Sequence, residues 1–274
     1  MFDVLNDMLR FTFMQRALIV GLLVSLCASL LGVSLVLKRY AMIGTGLSHV
    51  GFAAMVSATA LGFAPLAVSM PVVVGSAFLL LRINESSKIK GDSAIALISA
   101  SSLAIGVIIV NQTTGLTTHV CSAMFGSILA MTRADLQISV ALSVVVLVLF
   151  VLFYKQLFAI TYDEDFAKAT GTKAGVYKTL LALLTAVTVV LGMRMMGALL
   201  IASLIVFPAL TAMRLCKSFL SVVIISAVVG VFSFFVGIVL SFQFDLPTGA
   251  SVVSVNLVLF ILFSAIAMAK GRFA

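Results

Sequence analysis

Charged residues and tryptophan are scarce in this chain. Of its 274 residues, 9% are charged and 63% are hydrophobic, and no tryptophan occurs. Water-soluble domains carry about 25% charged residues, so this composition excludes that class. The apolar runs are continuous and about 20 residues long rather than alternating, which favours helices over a membrane barrel. We therefore predict an all-α, polytopic helical membrane protein with a single domain over residues 1–274.

Several features of enzymes and carriers are also missing. No GxxxxGK[ST] motif occurs, so any ATP hydrolysis has to come from another chain. Acidic residues are almost absent from the apolar runs, whereas gradient-driven carriers usually use buried carboxylates. Cys27, Cys121 and Cys216 lack CxxC spacing and are interpreted as small buried residues. No bound cofactor is expected, and the net charge of +8 indicates topology-setting loops rather than nucleic-acid binding.

The hydrophobic runs predict about nine membrane spans, with eight as the alternative. Their expected positions are residues 17–37, 44–62, 66–81, 93–111, 134–154, 176–192, 195–214, 219–242 and 250–269. The third is short and contains Pro71, and Pro208 should kink the seventh or break it into two pieces. The moderately apolar stretch 111–135 could hold a partly inserted, broken helix.

The basic residues indicate an orientation. With the N-terminus outside, only Arg10, Arg16, Arg133 and Arg194 of the 17 lysines and arginines fall in outer segments. Cytoplasmic loops carry an excess of Lys and Arg. We therefore predict a multi-pass protein with an external N-terminus and a cytoplasmic C-terminus.

One charged segment, residues 154–178, interrupts the apolar runs. Its pattern predicts a two-turn helix that Asp163 caps and that Gly171 ends in a left-handed turn. Two turns are unstable alone in water, so we expect something to hold this helix. The alternatives are a docking helix for a soluble partner and a solvated loop between spans. The candidate docking residues are Asp163, Glu164, Asp165, Phe166, Lys168, Thr170 and Gly171.

The segment 37–52 carries a histidine into the membrane. Thr45, His49 and Phe52 share one face of the predicted helix. An imidazole inside a span is costly unless it faces a cavity or a partner, so His49 is a functional candidate. The alternative is a histidine that joins two helices by a hydrogen bond. His119 lies in a predicted outer segment, where a surface imidazole is more typical than a ligand.

Several segments of the chain resemble a known family. Residues 37–52, LKRYAMIGTGLSHVGF, resemble the RRMSLIGDALSH segment of permease subunits of bacterial metal-ion ABC importers, the zinc/manganese/iron family. Further blocks follow in the family's order, beginning at Gly91, Met124, Asp165, Gly197 and Phe244, and together they cover nearly the whole chain. The resemblance implies a fold similar to shortened relatives of the vitamin B12 and siderophore permeases.

The same resemblance implies a function and partners. It implies a homodimer in a bacterial cell membrane with two ATPase subunits below and a metal-binding lipoprotein or periplasmic protein above. It implies import of a divalent transition metal, zinc or manganese first and iron next, by alternating access. Residues 163–171 match the family's coupling region for the ATPase. The alternatives are a chelated-metal permease of related fold and a gradient-driven carrier.

One position departs from the family pattern. Where the family has aspartate in GDALSH, this chain has Thr45. Aspartate and histidine four residues apart offer a hard oxygen and a borderline nitrogen, which suits manganese and zinc. A threonine hydroxyl is a poor ligand and carries no charge. The resemblance therefore implies a metal contact at His49, and at Thr45 it implies either fewer protein ligands or altered selectivity.

Overall fold

The chain is a bundle of helices in the computed structural model, which describes residues 8, 10–86, 91–113 and 133–269. No strand occurs in those ranges. The helices are α1 (Thr12–Leu37), α2 (Ile43–Ala60), α3 (Pro65–Ser86), α4 (Gly91–Gln112), α5 (Arg133–Leu152), α6 (Tyr154–Tyr162), α7 (Glu164–Ala169), α8 (Ala174–Met196), α9 (Ala198–Leu215), α10 (Phe219–Phe244) and α11 (Thr248–Ala269).

Eight helices of the described ranges are long and apolar enough to cross a membrane, and α2 is not among them. The direction of α2 nevertheless shows that it crosses the bundle from one end to the other, so it is a ninth crossing helix besides these eight. Gly46 of α2 lies against Ile95 of α4, and Ala53, two turns later, lies against Gly106. The two helices therefore run parallel, and α3, which connects them, runs the opposite way. The predicted second span is thus present as an 18-residue helix.

Two ion-pair groups define the two ends of the bundle. At one end, called here the α7 end, Glu164 contacts Lys38 after α1 and Lys178 in α8. At the other end Arg194, in the last turn of α8, contacts Asp135 in the first turn of α5. Because Lys178 and Arg194 both belong to α8 and are 16 residues apart, the two groups lie roughly 24 Å apart along its axis.

The centre of the bundle is formed by α1, α8 and α9, which contact one another. Hydroxyl groups inside it donate to backbone carbonyls, as Ser29 does to Ser25 and Thr185 to Leu181. Ser226 of α10 donates to the Ser29 carbonyl across the helix interface. Such bonds satisfy polar groups where water is absent. The faces that α5 and α11 expose consist largely of Val, Leu and Ile, as lipid contact requires.

Two of the spans that contain proline differ in part from the prediction. The third span is not short, because α3 runs over 22 residues with Pro71 inside it. Of the kink or break predicted at Pro208, the break does not occur, because α9 continues through this residue. Each proline removes one backbone donor, but in an apolar environment a helix still satisfies the remaining groups better than any irregular backbone would.

The boundary between the sixth and seventh spans also differs from the prediction. The helix α8 continues to Met196, four residues past its expected end, and stops at Gly197, whose φ is 88°. Only glycine adopts this backbone region freely, so Gly197 rather than the preceding residues separates α8 from α9. Arg194, predicted in the connection, is therefore part of α8.

Other expectations fall partly outside the described residues. His119, Cys121 and most of the predicted broken helix lie there; α4 extends to Gln112 and α5 begins at Arg133. Cys27 is buried, as predicted, whereas Cys216 is half-buried. The helix α6, which lies between α5 and α7 at the start of the charged segment, was not predicted from the sequence.

Candidate functional site

His49 lies on a stripe of α2 that the rest of the chain leaves half-exposed. Thr45, Ala53 and Ser57 occupy the same stripe at four-residue spacing. The other faces of α2 pack against α3, α4, α8 and α9. Small and polar side chains are unfavourable against lipid tails, so this stripe suits a water-filled path or a protein partner.

Phe52 does not belong to this stripe, contrary to the prediction. It is buried, and its ring lies where a side chain at Gly106 of α4 would have to be. Three residues on a helix leave a difference of about 60° in direction. That angle turns Phe52 toward α4 while His49 stays at the edge of the exposed stripe.

Ser99 on α4 is the hydrogen-bond partner of His49, and this contact was not predicted from the sequence. The Nδ1 atom of His49 lies 2.7 Å from the Ser99 hydroxyl. When Nδ1 carries the proton and donates to Ser99, the lone pair of Nε2 is available to a cation. The contact also joins α2 to α4, which is the alternative role considered for this histidine. In the sequence, Ser99 is one of several serines in an apolar span, and nothing singles it out as a partner of His49.

The described residues contain no group of three His, Cys, Asp or Glu side chains that could hold a metal ion. Thr45 lies one turn before His49 and offers a hydroxyl rather than a carboxylate. The stripe on α2 therefore provides one nitrogen ligand and weak oxygen ligands. Such a set could contact a passing cation but could not retain it firmly.

The charged segment forms the predicted short helix, α7. The Asp163 carboxylate accepts a hydrogen bond of 2.9 Å from the Phe166 backbone amide, which is the expected N-terminal cap. After Thr170 the chain turns through Gly171, whose φ is 85°, so the expected left-handed ending is also present.

One side of α7 faces the bundle and the other side is exposed. Ala167 is buried, whereas Phe166 is 66% exposed and Tyr162, at the end of α6, is 74% exposed. Asp165, Lys168 and Thr170 are exposed beside Phe166. Large exposed aromatic side chains beside exposed charged residues are typical of a protein-docking surface. A cleft of about 350 Å³ adjoins this surface and is lined by Gln156, Gly171, Thr172, Lys173, Val176 and Tyr177.

Glu164 fixes α7 to the rest of the chain. Its carboxylate lies 2.6 Å from the Lys178 ammonium group, 2.9 Å from that of Lys168 and 3.4 Å from that of Lys38. Burial acts to raise the pKa of Glu164, but the hydrogen bonds from Lys178 and Lys168 and the charge of Lys38 lower it to about 2. A short helix that was expected to need a partner is thus held by its own chain.

Comparison with known proteins places the chain in a family. The model of the ABC 3 transport family matches residues 10–267. The "Manganese transport system membrane protein MntC" of Halalkalibacterium halodurans is 28% identical, and the match covers 94% of this chain and 88% of that protein. The "Probable iron transport system membrane protein" of Haemophilus influenzae is 31% identical over 99% of both chains.

A solved structure has the same fold. PsaBC from Streptococcus pneumoniae in complex with Fab superposes with a TM-score of 0.84 at 28% identity, covering 95% of this chain and 94% of that one. The match therefore extends over almost the whole of both chains. The chain therefore belongs to the ABC 3 transport family and is a membrane-spanning permease subunit of an ABC transporter.

Proposed function

We propose that this permease subunit imports a divalent transition metal, with manganese or iron as the first candidates and zinc as the next. Two similar proteins are named for manganese and for iron transport. The half-exposed stripe around His49 supports the proposal, because imidazole nitrogen binds first-row divalent metals. The absence of a three-ligand group among the described residues suits a site that releases its cargo.

ATP hydrolysis in this proposal takes place on separate subunits that dock at α7. The observation that supports this assignment is the exposure of Phe166 on α7, whose opposite side is anchored by Glu164, and of Tyr162 at the adjoining end of α6. An anchored helix with an exposed aromatic side chain offers a preorganised ligand for a groove on a partner. Two ATPase subunits, one for each of two permease copies, and an external metal-binding protein complete the proposed assembly.

In the proposed orientation the α7 end is cytoplasmic. The basic residues of the described ranges cluster there, with Lys38, Arg39, Lys155 and Lys217 among them, whereas Arg194 lies at the opposite end. Cytoplasmic surfaces of membrane proteins have this excess. With nine traverses of the bundle, the N-terminus is then external and the C-terminus cytoplasmic.

The test is ATP-dependent uptake by the complete complex, reconstituted in vesicles with the ATPase and the metal-binding protein. Mn²⁺, Fe²⁺ and Zn²⁺ are compared with Mg²⁺ and Ca²⁺ as controls. We expect at least one transition metal, and neither control ion, to be imported and to stimulate ATP hydrolysis. A lack of response to all three transition metals would exclude the proposal. Uptake that needs an ion gradient but no ATPase would favour the gradient-driven alternative.

A further inference from the structure

Three lysines from three parts of the chain converge on Glu164. Oε1 contacts Lys168 of α7 and Lys178 of α8, whereas Oε2 contacts Lys38. The Lys38 side chain is 9% exposed and the Lys168 side chain 55%. Ion pairs that are shielded from solvent are screened less by salt. The contact between Glu164 and Lys38 is 3.4 Å long, but because it is shielded from solvent it links α7 to the end of α1 more strongly than an exposed contact of that length would.

A short hydrogen-bonded turn connects Lys38 to α2. The amide of Lys38 donates to Ser34, and the amide of Tyr40 donates to Leu35 at 2.8 Å. Arg39 between them has a φ of 60°, a left-handed conformation that this turn imposes at an energetic cost. The amide of Ile43, the first residue of α2, then donates to Tyr40 at 3.0 Å. Backbone hydrogen bonds thus span the turn from the end of α1 to the first residue of α2.

We propose that Glu164 is a positioning residue, which transmits movement of the docking helix α7 through Lys38 to α2 and its His49 stripe. This inference rests on the proposed docking of the ATPase at α7. A displacement of α7 toward or away from the bundle carries the Glu164 carboxylate with it, because Asp163 caps the helix and Ala167 packs beneath it. The ammonium group of Lys38 follows the carboxylate, and the rigid turn passes the displacement to Ile43.

The lysines offer a matched comparison. Lys38→Gln removes the link to α1 but leaves both contacts of Oε1, whereas Lys178→Gln removes the link to α8 and leaves the contact with Lys38. Both substitutions delete one positive charge near the same carboxylate. A difference between them therefore reports the connection to α2 and not the local charge.

The experiment measures metal imported per ATP hydrolysed, together with the amount of ATPase that co-purifies with the complex. We expect Lys38→Gln to lower this ratio about fivefold or more, which is the lower end of typical coupling between two sites. ATPase co-purification and ATP hydrolysis should stay normal. Lys178→Gln should keep the wild-type ratio, and Lys38→Arg, which retains the charge, should restore most of it.

Two results would overturn the inference. One is an equal ratio in Lys38→Gln and Lys178→Gln; the other is loss of the ATPase from the Lys38→Gln complex, which would place Lys38 in docking. If Lys38→Gln fails to accumulate, Glu164→Gln replaces it and is judged by the same ratio. If the ATPase does not dock at α7, the Phe166→Asp variant will still co-purify with it. This result detects a failure of the proposed docking site separately from a failure of the Lys38 link.

Discussion

Arg194 and Asp135 form a two-point ion pair at the end of the bundle opposite α7. Nη1 of Arg194 lies 2.9 Å from Oδ1 of Asp135, and Nη2 donates to Oδ2 at 3.0 Å. Asp135 is 8% exposed and lies in the first turn of α5, whereas Arg194 lies in the last turn of α8. Each charge is thus at the helix end whose dipole stabilises it. The pair lines a cavity of about 480 Å³ with Pro65 and Met70 of α3.

The first prediction concerns the stability that this pair provides. Asp135→Asn should destabilise the protein by about 2 kcal/mol, because the amide leaves only one acceptor oxygen for the guanidinium group and carries no charge to balance it. Arg133→Gln is the control, since Arg133 is exposed in the same turn and should change stability by less than about 0.5 kcal/mol. Denaturant unfolding of the purified variants measures both. Equal losses of stability in Asp135→Asn and Arg133→Gln would show that the ion pair makes no specific contribution to stability.

Sequence periodicity and composition predicted the helical fold well, because each apolar run must form a helix to cross a membrane. They failed where one residue decides a boundary. The end of α8 depends on the positive φ of Gly197, which no hydrophobicity pattern reveals. The helices α3 and α9 also continue through Pro71 and Pro208, because packing of neighbouring helices outweighs a local propensity.

The second prediction concerns orientation. Phe63, in the connection between α2 and α3, and Lys217, between α9 and α10, are both exposed. In a background that lacks Cys27, Cys121 and Cys216, Phe63→Cys should react with an impermeant maleimide added to intact cells. Lys217→Cys should react only after permeabilisation. The reverse pattern would show that the α7 end is external and that the proposed topology is inverted.

The third prediction concerns docking of the ATPase. Phe166→Asp should leave the permease in the membrane but lose the ATPase in a pull-down, because burying a phenylalanine contributes roughly 1.5–3 kcal/mol, about ten- to a hundredfold in affinity. Phe63→Asp is the matched control, since Phe63 is 61% exposed at the opposite end. It should co-purify normally. Normal co-purification and transport in Phe166→Asp would remove the docking role of this residue.

The fourth prediction concerns pH and the anchoring of α7. The lysines lower the pKa of Glu164 from 4.5 to about 2, so its carboxylate stabilises the folded state fully above about pH 4.5 and loses this effect as the pH falls toward 2. The difference in melting temperature between wild type and Glu164→Gln should therefore be constant between about pH 5 and 8. It should shrink in more acidic buffer. A difference that already changes near neutral pH would contradict the assignment.

The functional site could be predicted only in part. His49 and Thr45 follow from the sequence, because spacing along one helix determines which residues share a face. Ser99 could not be found in this way, since its contact with His49 depends on how α2 and α4 pack. The link between Glu164 and Lys38 likewise joins residues 126 positions apart, and no local pattern contains it.

The fifth prediction concerns Thr45 and metal retention. Thr45→Asp places a carboxylate one turn before His49 and restores the pair of the family pattern. The added charge should bind a divalent cation more tightly and slow its release, because it partly compensates the charge of the ion. Metal retained by the purified complex should rise while turnover falls. Unchanged retention would indicate that position 45 does not reach the path of the metal.

His49 itself decides between a role in metal passage and a role in packing. If its imidazole contacts the metal, His49→Ala should cut uptake per assembled complex, with normal ATPase co-purification. Ser99→Ala, which keeps the imidazole but removes the 2.7 Å contact, should then retain much of the uptake. If the histidine only joins α2 to α4, both variants should lose similar stability, by about 1 kcal/mol for one hydrogen bond, and uptake per complex should stay unchanged. Uptake normalised to purified complex separates the two, and an unchanged value in His49→Ala would end the metal-contact assignment.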